Sequence, residues 1–162
     1  MNENKKINLT YKAATLDDLQ ILIETRINVL IAANKLDDSA DMSEVRKHTE
    51  EYYIGALADG SHFAVLVYDE NQSVVGTGGI SYYQVMPTYC NPDGRKAYIM
   101  NMYTAPEYRR QGIALKTLDI LVQDAVKRGI KHITLEATEM GSSLYEKYGF
   151  VVMDDEMILK CI

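Results

Sequence analysis

Tyr103-Thr104-Ala105-Pro106-Glu107-Tyr108-Arg109-Arg110-Gln111-Gly112-Ile113-Ala114 is the stretch on which the reading of this chain turns. Ahead of it, Ala97 to Tyr103 reads as a strand. Behind it, Ala114, Leu118, Leu121, Val122 and Ala125 recur at helical spacing. A strand therefore runs into a basic, glycine-containing loop, and that loop opens a helix. Such a junction presents unpaired backbone N–H groups and the positive end of the helix dipole, which together suit a phosphate. Gly112 lets the backbone approach an anion closely, Ala114 is the next smallest choice, and Arg109 and Arg110 add charge.

Around this junction the chain has ordinary globular composition. Its 162 residues suit one domain spanning 1–162, and 47% hydrophobic with 25% charged residues is the make-up of a soluble protein with a substantial core. Cys90 and Cys161 form no C-x-x-C pair, which argues against a disulfide framework or a cysteine metal site. No segment approaches the length of a membrane-spanning helix, and Met1-Asn2-Glu3-Asn4-Lys5-Lys6 is not followed by a signal-peptide core, so the expected setting is cytoplasmic, with no membrane partner. A net charge of −6 disfavours a nucleic-acid partner, which usually needs a basic face. The same charge is compatible with a cationic amine, and equally with mere solubility.

Taken in order, Ile7 to Ala13 alternates as a first strand. Thr15 and Asp18 are spaced as a capping box, and Leu19, Leu22, Ile23, Ile27 and Leu30 form the apolar face of the helix that follows. Asn34 to Asp41 is a connection. Asp41 or Ser43 caps a second helix that ends at Asp59-Gly60. Ser61–Asp69 and Ser73–Tyr83 pair through the turn Asp69-Glu70-Asn71-Gln72. Gly76-Thr77-Gly78-Gly79 is not a dinucleotide fingerprint, because Ser81 stands at the third glycine position and no helix follows. Those glycines mark a bulge or close packing. Met86 to Arg95 is a loop. The central helix closes at Lys127-Arg128-Gly129, Ile130 to Ala137 is another strand, and a short helix holds Leu144 and Tyr145 before Gly149. Phe150–Val152 and Met157–Cys161 read as two last strands. The order is β-α-α-β-β-β-α-β-α-β-β, a mixed α/β domain.

Arg109-x-x-Gly112-x-Ala114 resembles the acyl-CoA loop of the GNAT family of N-acetyltransferases, written Q/R-x-x-G-x-G/A. Leu144-Tyr145-Glu146-Lys147-Tyr148-Gly149-Phe150 resembles the same family's LYEKxGF segment almost letter for letter. The specific resemblance covers about Ala97 to Val152, roughly a third of the chain. It implies the GNAT-like acyl-CoA N-acyltransferase fold, a mixed and mostly antiparallel central sheet flanked by helices.

It also implies a reaction: acetyl transfer from acetyl-CoA, as co-substrate and without a metal, to a primary amine of a small molecule or peptide, by direct attack in a ternary complex. Arg109, Arg110, Gln111, Gly112, Ile113 and Ala114 would hold the CoA pyrophosphate. Met102, Tyr103 and Thr104 would run beside the pantetheine arm, where the strands Ala97–Tyr103 and Ile130–Ala137 splay apart. Tyr145 stands where the family's general acid stands and would protonate the departing thiolate. Glu24 and Glu136 are candidate bases, with Asn101 and Tyr83 as water-positioning groups. Glu24 and Arg26 lie off the centre of the first helix's apolar face, either as solvated surface or as substrate contacts, since in the resembled family this helix borders the acceptor cleft. His132 and His48 are more simply surface residues. Two positions depart from the family pattern: Thr138 replaces Asn seven residues before the tyrosine, and Gly141 replaces Ala four before it. A non-catalytic acyl-CoA-binding or sensing domain is the alternative. Polyamine, aminoglycoside, amino acid and protein N-terminus all stay open as acceptors, and an exposed final strand would allow a homodimer.

Overall fold

The computed structural model describes residues 7–160. Five strands form one sheet in the order β1-β2-β3-β4-β5: β1 Thr10–Ala13, β2 His62–Tyr68, β3 Val74–Gln84, β4 Arg95–Thr104 and β5 His132–Leu135. The first four are antiparallel neighbours, and β5 joins β4 in parallel. The helices α1 Leu19–Ala33 and α2 Ser43–Asp59 cover one face, while α3 Ile113–Lys127 and α4 Ser142–Tyr148 cover the other. The mixed, mostly antiparallel sheet expected from the sequence is the one observed.

Alternation along β2 sorts the core into two layers. Ala64 and Leu66 pack with Leu22, Ile23, Ile27 and Tyr53 of α1 and α2. Val65 and Val67 face the opposite way, joining Ile113, Leu118, Leu121 and Ala125 of α3. The local signals behave as their chemistry dictates. The Thr15 hydroxyl accepts from the Asp17 N–H, and the Asp18 carboxylate accepts from the Thr15 N–H, at 3.3 and 2.9 Å. Asp41 accepts from the Ser43 N–H at 3.0 Å, but the N-cap position of α2 is Met42 and carries no side-chain cap, so neither expected residue stands there; α2 ends at Gly60 with φ 76°.

β3 and β4 carry the irregularity that shapes the site. Thr77 pairs with Tyr103 and Gly79 with Met100, so Asn101 and Met102 together oppose Gly78. This is a β-bulge, and Asn101 takes φ 57° to make it. The extra residue reverses side-chain parity beyond it. Met102 turns onto Gly78 towards α3, whereas Met100 and Asn101 both face α1 and α2. The glycines of β3 are therefore packing glycines, and the bulge itself lies in the neighbouring strand.

Three expectations need correction. β1 begins at Thr10 rather than Ile7, and β5 covers only His132–Leu135 of the expected Ile130–Ala137. Ile130 instead packs into the core just beyond Gly129, which ends the helical region with φ 75°. Residues 150–160 contain no strand, although Phe150–Val152 and Met157–Cys161 were expected to form two; Cys161 lies outside the described residues. A strand exists through its ladder bonds, and among the described residues the outer edge of β5 has no strand beside it. Val151, Val152, Met157 and Ile158 are accordingly exposed.

A Cβ on Gly78 would lie 2.7 Å from Met102 Sδ and 2.7 Å from Thr117 Cγ2. Gly78→Val is therefore expected to lower unfolding free energy by about 1–3 kcal/mol, the usual range for overpacking. Gly55→Ala, in open space on α2, is expected to raise it by roughly 0.5–1 kcal/mol. Urea unfolding of the two variants checks both signs.

Candidate functional site

The loop between β4 and α3 is shaped by its own residues. Pro106–Tyr108 makes one 3-10 turn, and the Tyr108 hydroxyl donates to Asp69 Oδ2 at 2.8 Å, tying the loop to the β2–β3 turn. Asp69 also accepts from the Asn71 and Ser73 N–H groups, and these bonds hold its carboxyl below the usual range. Arg110 and Gly112 adopt φ 62° and 80°, a left-handed pair that turns the chain into α3. Gly112 is the N-cap and brings no side chain, so no capping group occupies the first-turn N–H groups of α3. Around Gly112 there is open space, Ile113 is buried in the core, and Ala114 is half-buried. Gln111 Nε2 reaches back to the Glu107 carbonyl at 3.4 Å. What this end of the helix offers outward is backbone N–H and the exposed guanidinium groups of Arg109 and Arg110.

The adjoining strand supplies a second surface. β4 pairs with β5 only from Lys96↔His132 to Ile99↔Leu135, so the ladder stops just before the bulge. Met100 to Thr104 then have a β5-facing edge without a strand partner among the described residues. Met102 gives this edge its backbone alone, because its side chain lies in the core; Tyr103 and Thr104 continue it to the loop. Arg109 Nε donates to the Thr104 carbonyl at 3.1 Å, and its Nη1 lies 4.0 Å from Met140 Sδ. The Arg109 side chain thus spans the opening between β4 and the turn before α4. Thr104 Oγ1 is buried without a hydrogen-bond partner among the described residues, a polar atom that suits an amide-bearing ligand.

Tyr145 sits on α4, buried, with its ring edge-on to Phe150 at 6.1 Å between centroids. Burial raises its phenol above the ordinary tyrosine value, so it is protonated at neutral pH. The two departures from the family pattern work together around this ring. Thr138 Oγ1 accepts from the Gly141 N–H at 3.2 Å and shapes the turn into α4. A Cβ on Gly141 would lie 3.0 Å from Tyr145 Cε2, so glycine leaves room for the ring.

The sequence profile of the acetyltransferase (GNAT) family matches residues 31–150. The chain belongs to that family. A predicted acetyltransferase from Clostridium acetobutylicum, solved with acetyl-CoA, superposes at TM-score 0.85 with 34% identity, covering 94% of this chain and 96% of that one. A GCN5-related N-acetyltransferase from Ralstonia eutropha JMP134 superposes at TM-score 0.79 with 23% identity, over 94% and 99% of the two chains, and speaks for the fold. The uncharacterized N-acetyltransferase YsnE of Bacillus subtilis is 35% identical over 63 residues. That match spans 36% of this chain and 42% of YsnE, so this chain is aligned with less than half the length of that relative.

In this GNAT chain the bulge opens a cleft of about 520 Å³ on the opposite face of the sheet. Arg26 enters from α1, Val45, His48, Tyr52 and Tyr53 from α2, and Ser81, Met100 and Asn101 form the floor. Arg26 Nη1 donates to Asn101 Oδ1 at 3.2 Å. At the back, the Tyr52 hydroxyl lies 2.8 Å from His62 Nδ1 and 2.6 Å from Ser81 Oγ. His62 is buried, and its Nε2 has no partner among the described residues. Burial pushes its pKa down to about 4.

The two candidate bases part company. Glu24 is exposed and receives both guanidinium nitrogens of Arg46, at 2.6 and 3.2 Å; that pairing lowers its pKa, and the residue does not line the cleft. Glu136 lines a second cavity of about 300 Å³ together with Tyr145 and Tyr98. Tyr98 is two residues from Met100 on β4, so this carboxylate stands beside the sheet face that floors the cleft. Tyr83 is exposed, Asn101 is held by Arg26, and His48 pairs with Glu51 at 3.2 Å. The Tyr52–His62–Ser81 group escaped the sequence reading. Its one available signal was His62 opening a strand otherwise made of apolar residues.

Because His62 binds its proton more weakly folded than unfolded, the unfolded chain takes up protons first as pH falls. Unfolding free energy is therefore expected to decline between pH 6.5 and about 4, by about 3 kcal/mol over that window. His62→Gln is expected to flatten that decline. Urea titrations at pH 7, 5.5 and 4 read the difference.

Proposed function

We propose that this chain is an acyl-CoA-dependent N-acetyltransferase that moves the acetyl group of acetyl-CoA to a primary amine of a small molecule or peptide, by direct attack in a ternary complex. The observation that carries this reading is the free edge of Met100–Thr104, which leads at one end to the open N-terminus of α3 and faces the gap beside β5. The pyrophosphate is held by the first-turn N–H groups of α3 with the charge of Arg109 and Arg110. The pantetheine amides pair with the edge of Met102 to Thr104, and a backbone N–H at the bulge polarises the thioester carbonyl.

The amine then approaches from the cleft floored by Met100 and Asn101. Its nitrogen bonds to the carbonyl carbon, the C–S bond breaks, and the sulfur takes the phenolic proton of Tyr145. The proton shed by nitrogen passes to Glu136, directly or through water, and returns to the tyrosinate. Two neutral products leave, an N-acetyl amide and the thiol. A binding or sensing domain is the second reading, favoured by one specific observation: Glu24, a candidate base, is engaged by Arg46.

Tyr145→Phe separates the two. Steady-state transfer to a panel of amines is expected to fall about 100-fold or more, while acetyl-CoA affinity by calorimetry stays within about twofold. Undiminished transfer would remove Tyr145 as the acid. Absence of transfer in the wild-type chain, with acetyl-CoA bound, would favour the sensing domain.

A further inference from the structure

The charges around the cleft are unbalanced in one place. Arg26 is half-buried at the floor, beside the bulge, and among the described residues it forms no ion pair. The nearest carboxylate in sequence, Glu24, is occupied by Arg46. Asn101 is a neutral amide that accepts one bond from Arg26. Tyr53 is pushed up to about 12, chiefly by burial, and is therefore a neutral phenol. Glu44 and His48 also border the cleft; both are exposed, and His48 is engaged by Glu51. The rest of the lining is Val45, Tyr52 and Met100, apolar or aromatic, with the hydroxyls of Thr49 and Ser81 beside them, Ser81 being bonded to Tyr52.

A guanidinium that is partly desolvated and lacks an anion is a site for one. Its position decides where on the ligand that anion lies. Arg26 bonds the side chain of Asn101, the bulge residue itself, so an anion held by Arg26 lies next to the reacting centre and not at the far end of the acceptor. We infer that the acceptor is an α-amino acid with an apolar or aromatic side chain, its carboxylate held by Arg26 and its side chain lying on Val45, Tyr52 and Met100. This rests on the acetyltransferase reading for the position of the reacting carbonyl. The arrangement also suits the chemistry, because a nearby cation favours the neutral amine that attacks. A polycation such as a polyamine would instead place like charge against Arg26, and loses on that ground.

The test pairs leucine, methionine, phenylalanine and tyrosine with their decarboxylated amines, using the full chain and Arg26→Gln. For at least one pair, kcat/KM with acetyl-CoA is expected to favour the amino acid about tenfold or more, in line with loss of a charge-assisted bond in its amine. Arg26→Gln is expected to erase that preference while leaving the acetyl-CoA dissociation constant within about twofold. Calorimetric titration of the same compounds into free and CoA-loaded protein gives a readout independent of turnover. Arg26-dependent binding of an amino acid without transfer would uphold the amino-acid site at Arg26 and sink the enzyme reading, and with it the amino acid's role as acceptor. Acetylation of the decarboxylated amines as well as or better than the amino acids would overturn the inference and leave the enzyme reading standing. Failure of every amino acid to bind or react would overturn it too.

Discussion

The bulge in β4 opposite Gly78 is the constraint on which the rest depends. One extra residue there does three things at once. It reverses parity, so that Met102 enters the α3 core while Met100 and Asn101 both look towards α1 and α2. It coincides with the end of the β4–β5 ladder, leaving the edge of Met100–Thr104 for a ligand. It also places Asn101, and through it Arg26, next to that edge. Gly78 is the residue that makes this geometry possible, because any side chain there would collide with Met102, Thr117 and Leu121.

Two surfaces of opposite character then lie on either side of one strand. The loop end offers backbone N–H groups and arginines, the chemistry of a pyrophosphate. The helical face offers a cleft in which the Arg26 guanidinium has no ion-pair partner among the described residues. Tyr145, protonated and buried, belongs to a cavity that reaches around β5 to Glu136. In the proposed reaction, the attacking and leaving groups would occupy these different sides of the reacting carbon.

Much of this was legible in the sequence because its signals are local. The basic loop with Gly112, the capping box at Thr15 and Asp18, and the Tyr145 segment each state their geometry within a few residues. The bulge was half-legible: Gly76, Gly78 and Gly79 announce close packing, but a strand's sequence does not reveal which partner carries the extra residue. The cleft against α1 and α2 was illegible as a whole. It is assembled from Arg26, Tyr52, Ser81 and Asn101, which are far apart in the chain, and the Glu24–Arg46 pair that engages a candidate base joins two separate helices. The expected strands at 150–152 and 157–161 failed for a related reason. Apolar alternation marks a segment able to pair, and only the neighbouring edge decides whether it does.

The proposed chemistry depends on the β4–α3 junction being an acyl-CoA site. Its most direct test is the thermal shift of the purified chain with acetyl-CoA, measured beside Arg109→Glu. A ligand that binds the folded form alone must raise Tm. A clear rise is expected for the wild-type chain, largely lost in Arg109→Glu. An unchanged Tm with saturating acetyl-CoA, matched by no heat of binding in a direct titration, would contradict it.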